Sequence, residues 1–280
     1  MPKGIRCRTN LKKAVTAEYK RIIGKDINWD NPQEIDEKLA VLKIGEYYNN
    51  PIITKASDKV LAKDYVKEHG YPIKCAKTYA VYDRVADIRW DELPKQCVIK
   101  CNHGCQYNII VPDKDKLDIK ETKRKLRHWM KENYWVKFVE PQYRFIDRKI
   151  MVEEFLGTDL PAFKYYCFHG EPKIMYVSNN GPRGPLDKEM YLDYFDMDFT
   201  WQDMRLRGHE NLGADKIAKP DKWEEMKSLA SEMAEDYPFV RVDFYDVDGE
   251  IYFSEMTFLP SGGYMRFAPE SVAMKMGSWL

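Results

Sequence analysis

The sequence has no excess of charge of either sign, because 45 lysine and arginine residues are balanced by 45 aspartate and glutamate residues. Its charge therefore gives no support to a general affinity for polyanions, and any basic site must be local. We expect no nucleic-acid partner. Long apolar runs are also missing, and none approaches the roughly 20 residues that span a bilayer. The sequence thus gives no indication of a transmembrane segment.

The N-terminal stretch Met-Pro-Lys-Gly-Ile-Arg lacks the apolar core of a signal peptide, so we expect a cytoplasmic location. Cysteine is scarce, with six residues and no Cys-x2-Cys pair. A cytosolic setting keeps thiols reduced, and we interpret these cysteines as free. Cys97, Cys101 and Cys105 recur at four-residue spacing around His103. Structural zinc sites usually contain Cys-x2-Cys pairs, which disfavours zinc here.

What is present is a hydrophobic fraction of 44% over 280 residues, which is enough for a substantial core in one large domain or two to three lobes. Residues 1–55 carry apolar side chains at helical spacing and predict a helical N-terminal segment. Its basic residues could meet an anionic glycan carrier or a membrane surface, but charge runs are usually solvated. Residues 56–92 are predicted as a small linker or central lobe, with a capped helix at Asp58 and a following strand.

Residues 93–155 are predicted to form a lobe with two short strands around a glycine-bearing turn, and Lys100 ends the first strand. A lysine in this place can reach phosphate oxygens while loop amides hold them. Seen alone, such a lysine is more often a surface residue, and His103 is first of all a turn residue. A buried strand through Glu153 then ends at Gly157, where the chain could form a hinge between lobes.

Residues 156–280 are predicted as the second lobe, which starts with a hairpin of strands over 163–168 and 172–177. Residues 178–220 have mixed polarity and many turn residues, so we expect a loop-rich stretch. A helix follows, and then two strand-like segments are separated by Asp248-Gly249. An Asp-Gly pair between apolar segments is a strong signal for a β-hairpin.

The acids of this hairpin share a face only if the connection has the right parity. A two-residue loop pairs Asp243 with Ser254 and places Asp243 and Glu255 on opposite faces. A three-residue loop pairs Asp243 with Phe253 and Glu255 with Arg241, and brings the three charged residues to one face. We expect the three-residue loop and a shared Mg²⁺, which prefers oxygen ligands. The alternative is an edge hairpin whose charges face water.

Several short segments occur in a characteristic order along the chain. They are Asp58-Lys59 with Lys63, Lys100, Asn102-His103-Gly104, Glu153-Glu154-Phe155-Leu156, Phe168-His169-Gly170, Arg241-Val242-Asp243, Glu255 and Gly277-Ser278-Trp279-Leu280. This order resembles the ATP-grasp fold and, over nearly the whole chain, the TupA-like branch associated with bacterial surface polysaccharide synthesis. The resemblance implies an α+β fold in which two lobes with antiparallel sheets clamp a nucleotide, after the helical N-terminal segment.

The resemblance also implies ATP and Mg²⁺ as cofactors and gives each site residue a role. Arg241 and Lys100 are the implied catalytic residues, because Arg241 would meet the transferred phosphate and Lys100 the nucleotide phosphates. The implied nucleotide contacts are Lys63, Lys100, His103, Gly104, Glu153, Glu154, Phe155, Leu156, Asp159 and Lys164, and the implied metal ligands are Asp243, Glu255 and Thr257.

Three positions depart from the family pattern. Thr257 stands where many relatives have an asparagine ligand, and Cys105-Gln106 replaces a small Ser-Gly pair in the phosphate loop. Ala162 stands where an acidic contact to the ribose is common. We expect Asp159 to take over that contact, unless the contact is lost.

The implied activity is ATP-dependent ligation of a carboxylate to an amine through an acyl phosphate. The implied substrates are a uronic acid, on a nucleotide sugar or a growing glycan, and an amino acid or amino alcohol. The implied setting is capsular or surface polysaccharide synthesis, with peripheral association to an assembly complex. Two alternatives stay open: a kinase that phosphorylates a sugar hydroxyl, and a nucleotide-binding scaffold without turnover, which Thr257 and Ala162 motivate.

Overall fold

The computed structural model describes residues 3–158, 160–180 and 190–280. Within these ranges the chain forms helices and largely antiparallel sheets, which confirms the predicted α+β class. The helices are α1 Lys3–Thr9, α2 Leu11–Ile23, α3 Ile35–Ile44, α4 Pro51–Ser57, α5 Leu61–Glu68, α6 Ile119–Lys131, α7 Trp223–Ala234 and α8 Ser271–Gly277. The strands are β1 Lys74–Cys75, β2 Thr78–Tyr82, β3 Cys97–Cys101, β4 Asn108–Val111, β5 Ile150–Glu153, β6 Ala162–Phe168, β7 Glu171–Asn180, β8 Met190–Phe195, β9 Trp201–Gln202, β10 Arg205–Leu206, β11 Phe239–Val247, β12 Glu250–Thr257 and β13 Phe267–Ala268.

Helices α1 to α3 form the expected helical N-terminal segment. Helix α2 begins after Asn10, whose side chain accepts a hydrogen bond from the Lys13 amide at 2.9 Å, and it ends at Gly24 in the left-handed conformation. Tyr19 of its buried face meets Tyr264, near the C-terminus, edge to face at 6.3 Å. Within the described ranges, none of the helices has both the length and the apolar character required to span a bilayer.

A seven-stranded sheet carries the larger core, in the order β1-β12-β11-β6-β7-β8-β9. Its neighbouring strands are antiparallel except for the pair of β1 and β12. Helix α7 packs on β6, β7 and β11 through an apolar stripe that includes Met226 and Ala230. Because α7 covers one face, charged residues of the central strands are directed to the other face.

A four-stranded antiparallel sheet, in the order β2-β5-β3-β4, forms the second core with Leu126 of α6 packed against it. Val98 of β3 lies opposite Glu153 of β5, and Lys100 lies opposite Met151. Opposed residues share a face, and residues two apart on one strand share it too. Lys100 and Glu153 are therefore diagonal neighbours on one face of this sheet.

The structure adds two observations to the predicted organisation of the chain. The stretch 178–220, expected to be rich in loops, contains β8, in which Leu192 and Tyr194 are buried. Its pairing with β7 depends on tertiary packing, which the local sequence with its many turn residues does not predict. Residues 56–92 contribute to both sheets, since β1 pairs with β12 and β2 with β5. The predicted domain boundaries stay predictions.

The hairpin of β11 and β12 turns on two residues and not on three. Val247 pairs with Glu250, and Asp248 and Gly249 form the turn with φ angles of 54° and 76°. Two consecutive positive φ angles are typical of the type I′ turn that Asp-Gly favours. The expected three-residue loop is therefore wrong, because the turn follows the intrinsic preference of the Asp-Gly pair.

A β-bulge at Ser254 restores the parity that the short turn would lose. Phe244 pairs with Phe253, but the next residue, Asp243, pairs with Glu255, so that Ser254 is the additional residue of β12. The expected pairs of Asp243 with Phe253 and of Glu255 with Arg241 are wrong. The expected common face is nevertheless present, since opposed residues project to the same side.

Lys43 of α3 is a fully buried lysine that joins distant parts of the chain. Its ammonium group donates to the Gly262 carbonyl at 2.5 Å and to the Phe138 carbonyl at 3.2 Å, and it lies 4.0 Å from the centre of the Tyr264 ring. Gly262 has a φ of 69°, and a Cβ there would lie 2.5 Å from Cβ of Phe138. The 3-10 turn Pro260–Gly263, which follows β12, is thus held by the N-terminal helical segment.

Candidate functional site

A cleft of about 270 Å³ separates the small sheet from the β11–β12 hairpin. The start of α5 and the loop between β3 and β4 contribute to its walls. Its charged lining residues are Lys59, Lys63, Lys100, Glu153, Lys164 and Glu255. Four ammonium groups against two carboxylates make the cleft positive, which suits a polyphosphate ligand.

The carboxylate of Asp243 is fully buried and bound by two cations. Nε of Arg241 donates to Oδ1 at 2.6 Å and Nη2 to Oδ2 at 2.7 Å, and Nζ of Lys164 also donates to Oδ2. Nη2 of Arg241 further lies 3.0 Å from both Oε1 of Glu255 and Oγ1 of Thr257. The bidentate contact fixes the plane of the guanidinium group, and the hairpin side chains form one connected network.

Glu255 is the more accessible of the two hairpin acids. Its side chain is 31% exposed, whereas that of Asp243 is 0% exposed. Burial opposes ionisation of Glu255, but Lys164, Arg241 and two further lysines outweigh burial and lower its pKa to about 2. Glu255 is therefore ionised at neutral pH, as a carboxylate that binds a metal must be.

The hairpin offers oxygen ligands, which are the ligand type that Mg²⁺ prefers. Oε2 of Glu255 accepts no hydrogen bond from the described residues, and Thr257 offers a hydroxyl oxygen beside it. Asp243 is the less available donor, because Arg241 and Lys164 already bind it. The described residues contain no cluster of three His, Cys, Asp or Glu side chains. Mg²⁺ is commonly bound by one or two carboxylates together with water and substrate phosphates, so the oxygen donors of Glu255, Thr257 and Asp243 are of the right type for Mg²⁺.

Glu153 stands between the two lysines that the sequence assigns to phosphate binding. Nζ of Lys63 lies 2.8 Å from its Oε2, and Nζ of Lys100 pairs with its Oε1. Lys63 also donates to the Ala76 carbonyl at 2.6 Å and to the Thr78 hydroxyl at 3.1 Å. Burial opposes ionisation of Glu153, yet Lys100 and Lys63 hold its pKa below the ordinary value. Conversely, burial disfavours the Lys100 cation, but Glu153 raises the pKa of Lys100.

The first half of the loop between β3 and β4 is anchored by Asp58 and Lys59, which precede α5. Nδ2 of Asn102 donates to both oxygens of Asp58, at 2.9 and 3.0 Å. The Gly104 carbonyl accepts a hydrogen bond from Lys59 at 2.6 Å. A Cβ on Gly104 would lie 2.7 Å from the Tyr134 ring, so a larger residue would displace the loop. The loop is thereby fixed against the start of α5 at the mouth of the cleft.

His103 is buried, and its ring lies in the core of the small-sheet lobe. Its Nε2 lies 3.0 Å from the Trp129 carbonyl, which can only accept, so Nε2 carries the proton. Its Nδ1 has no partner among the described residues. Burial lowers the pKa of His103 to about 4, so the ring is neutral at pH 7. The predicted nucleotide contact of His103 would have to come from its backbone.

The segment that follows Glu153 is predicted to hold adenine through its backbone. The Glu154 amide donates to the Lys77 carbonyl at 2.8 Å, and the Lys77 amide donates to Oε2 of Glu154 at 3.0 Å. This reciprocal pair already uses one of the predicted backbone donors. Leu156 lines the cleft, and Phe155 is a half-buried residue next to it. Asp159 lies outside the described residues.

The sequence does not assign several residues that line the cleft, among them Lys59, Tyr143 and Tyr245. Lys59 stands four residues before Lys63, so the helical spacing of the two lysines is the signal that could have identified it. Tyr143 and Tyr245 line the cleft through tertiary contacts that no local pattern marks. Burial raises the pKa of Tyr143 well above its ordinary value, so its hydroxyl stays protonated.

Comparison with known proteins gives one family match and several structural similarities. A family model described as TupA-like ATPgrasp matches residues 37–280. No curated protein matches the chain significantly. The L-amino acid ligase from Bacillus licheniformis gives a TM-score of 0.49 at 13% identity, covering 92% of this chain and 57% of that chain.

Two further solved structures are similar at comparable levels. The ATP-grasp ligase PsnB complexed with minimal precursor gives a TM-score of 0.45 at 12% identity, covering 79% of this chain and 60% of that chain. The D-alanine–D-alanine ligase from Bacillus anthracis complexed with ATP gives 0.44 at 16% identity, covering 73% and 55%. The chain thus spans 55 to 60% of the length of these three proteins.

Proposed function

Because this chain belongs to the TupA-like ATP-grasp family, we propose that it is an ATP-dependent ligase that joins a carboxylate to an amine. The observation that carries the proposal is the charge arrangement of the cleft. Lys100 of the small sheet and Lys59 and Lys63 at the start of α5 line the cleft opposite Glu255, which belongs to the hairpin network with Arg241 and Asp243. Such a site offers cations for a polyphosphate on one side and oxygen ligands for a divalent cation on the other.

The proposed reaction begins with transfer of the γ-phosphoryl group of ATP to an oxygen of the substrate carboxylate, which releases ADP. The amine then attacks the carbonyl carbon of the acyl phosphate, inorganic phosphate leaves, and the nitrogen loses a proton. A carboxylate is a poor electrophile, and phosphorylation supplies the leaving group. Because charge moves between phosphate oxygens throughout, positioning and charge neutralisation are the main tasks of the protein.

The side chains of the chain divide these tasks. Lys63 and Lys100 bind phosphate oxygens, which replace the Glu153 carboxylate as partners of the two ammonium groups. Arg241 neutralises charge on the transferred phosphoryl group. Glu255, with Asp243 and Thr257 as further oxygen donors, would hold Mg²⁺, which neutralises phosphate charge when bound. The short distances within the hairpin network keep Arg241 fixed while the substrate reacts. The roles of Gly104, Leu156 and Lys164 in nucleotide binding belong to the same proposal.

The substrates we propose are a uronic acid and an amino acid or amino alcohol, joined during the synthesis of a bacterial capsular or surface polysaccharide. This part is supported by the family resemblance alone. It implies work in the cytoplasm, where ATP and nucleotide sugars are found, with peripheral association to an assembly complex.

The test is ADP release from the full chain with Mg-ATP and a matrix of uronic acids and amines, combined with mass spectrometry of the products. ADP and phosphate formation that requires both an acid and an amine, with an amide as product, would support the ligase. AMP and pyrophosphate would exclude it. A phosphorylated sugar formed without an amine would identify a kinase.

A scaffold without turnover is the second candidate, and one observation favours it. Both oxygens of the buried Asp243 carboxylate are bound by Arg241 or Lys164, and Thr257 is a weaker ligand than a carboxylate. Mg-ATP binding without ADP release across the same matrix would support the scaffold.

A further inference from the structure

A second cationic site lies outside the cleft, where β10 and β13 pair. Arg207 and Arg266 line two adjoining cavities of about 200 and 640 Å³, together with Phe267 and Glu270. Neither guanidinium group forms an ion pair with a carboxylate of the residues that the structure describes. Arg207 is an exposed residue and Arg266 a half-buried one, and both line the same two cavities without a paired carboxylate among the described residues.

The strand register places these two like charges next to each other. Arg205 pairs with Ala268 and Leu206 with Phe267, and the Arg207 amide donates to the Arg266 carbonyl at 3.2 Å. Continuation of this register brings Arg207 opposite Arg266. Like charges directly opposite each other on paired strands are destabilising. An anion between the two guanidinium groups would remove this cost.

The backbone that presents Arg266 is held by a buried acid. Arg266 has a φ of 49°, an uncommon value for a residue with a side chain. Asp36, which is 2% exposed, accepts a hydrogen bond from the Met265 amide at 2.7 Å. A buried carboxylate is costly unless it is hydrogen-bonded. The backbone conformation and the Asp36 hydrogen bond together fix the direction in which the side chain of Arg266 projects.

The acids around the pair limit the charge of a ligand. Lys25 is paired with Glu34 at 2.5 Å in the smaller cavity. Apart from this ion pair and the two arginines, the charged groups that line the smaller cavity are Glu270 and the buried Asp36. A multiply charged phosphate would be repelled by two carboxylates, whereas a single carboxylate matches the bidentate geometry of guanidinium at lower cost.

We propose that Arg207 and Arg266 form a binding site for the carboxylate of a small acid, distinct from the nucleotide cleft. Aromatic rings separate the two sites: the Arg241 guanidinium lies 5.8 Å from the Tyr176 ring, Tyr176 lies 5.2 Å from Tyr194, and Tyr194 lies 6.0 Å from Phe267, which lines the carboxylate site. The site does not depend on the ligase reaction, because it requires neither ATP nor Mg²⁺.

Binding is tested on the full chain by isothermal titration calorimetry without nucleotide. The probes are D-glucuronate and L-alanine as carboxylates, D-glucose as the neutral match of glucuronate, and inorganic phosphate. The variants are Arg207→Gln and Arg266→Gln. Arg84→Gln is the control for loss of an arginine charge elsewhere, since Arg84 lies in the other lobe and pairs with Asp87 at 2.8 Å.

At least one carboxylate probe should bind the wild type while D-glucose does not. Its affinity should fall about tenfold or more in Arg207→Gln and in Arg266→Gln, as expected for loss of one charged hydrogen-bond partner, and remain within about twofold in Arg84→Gln. Without ligand, Arg207→Gln should melt no lower than the wild type, because it removes the like-charge contact.

Three results would overturn the proposal. The first is that neither carboxylate binds, and the second is that binding is unchanged in both arginine variants. The third is that phosphate binds more tightly than both carboxylates. A lower melting temperature for Arg207→Gln together with unchanged binding would assign the pair a structural role.

Discussion

Asp243 and Glu255 lie directly opposite each other on β11 and β12, and one guanidinium group contacts both carboxylates. The two acids nevertheless differ in kind, because Asp243 is sealed from solvent while Glu255 keeps an oxygen that accepts no hydrogen bond from the described residues. Glu255 would therefore be the acid that holds a divalent cation, and Asp243, whose oxygens are bound by Arg241 and Lys164, would position Arg241.

Replacement of Glu255 by Gln should leave the fold intact and abolish most of the turnover. The charge that neutralises a bound cation disappears, and the loss should be about 10²–10³-fold in kcat, the size seen when a charge-stabilising group is removed. ADP release at saturating Mg²⁺, together with circular dichroism, measures both properties. Glu250→Gln is the control, since Glu250 is an exposed residue of the same strand. Near-normal turnover in Glu255→Gln would remove the metal role.

Replacement of Lys100 by Ala should mainly weaken nucleotide binding. Loss of one charged hydrogen-bond donor to phosphate costs about 1.5–3 kcal/mol, or roughly ten- to a hundredfold in affinity. Titration of the variant with Mg-ATP by calorimetry gives the dissociation constant. Lys95→Ala is the matched control, because Lys95 is exposed in the same lobe. Equal ATP affinity of wild type and Lys100→Ala would contradict a phosphate contact.

Replacement of Glu153 by Gln should destabilise the protein more without nucleotide than with it. The variant leaves Lys63 and Lys100 close together without their shared carboxylate, which we expect to cost about 1–3 kcal/mol after allowing for their partial exposure. Mg-ATP supplies phosphate oxygens to the same ammonium groups and should recover part of the loss. Thermal melts with and without Mg-ATP measure this difference. Glu154→Gln provides the comparison. Equal destabilisation of Glu153→Gln with and without Mg-ATP would contradict the idea that phosphate replaces Glu153 at the two lysines.

The buried His103 should make stability fall as the pH is lowered from about 6.5 to about 4. Its folded pKa of about 4 lies below the ordinary 6.5, so the unfolded chain binds more protons in this window and stability rises with pH. The contribution is about 3 kcal/mol. Urea unfolding of wild type and His103→Phe at pH 7 and pH 4.5 tests it, because the variant should lose this part of the pH dependence. An unchanged dependence would place the titration elsewhere.

The sequence predicted the elements of the site better than their geometry. Lys100 near a strand end and Glu153 at the end of a buried strand follow from local patterns, and they occupy those places. Their pairing required knowledge of which strands are neighbours, a long-range property of the fold. The ring of His103 shows the opposite case, since a polar turn residue was expected near the ligand and packing placed it inside the lobe.

The face shared by the hairpin acids was predicted correctly from an incorrect turn. Asp248-Gly249 specified a two-residue turn through its φ preferences, and the change of parity came from Ser254, a residue with no local signature of a bulge. Bulges depend on how a strand fits both of its neighbours, here β11 and β1. A single strand pattern therefore does not contain this information.

The Ser254 bulge makes the acids independent of the hairpin tip. Between the tip and the bulge, the two strands run in plain register, from Val247 with Glu250 to Phe244 with Phe253. Residues added at the exposed Asp248-Gly249 tip would extend it into solvent, so this position suits a label or an affinity tag. One residue inserted beside Ser254 would instead change the alternation of side chains and turn Glu255 to the other face of the sheet, away from Arg241.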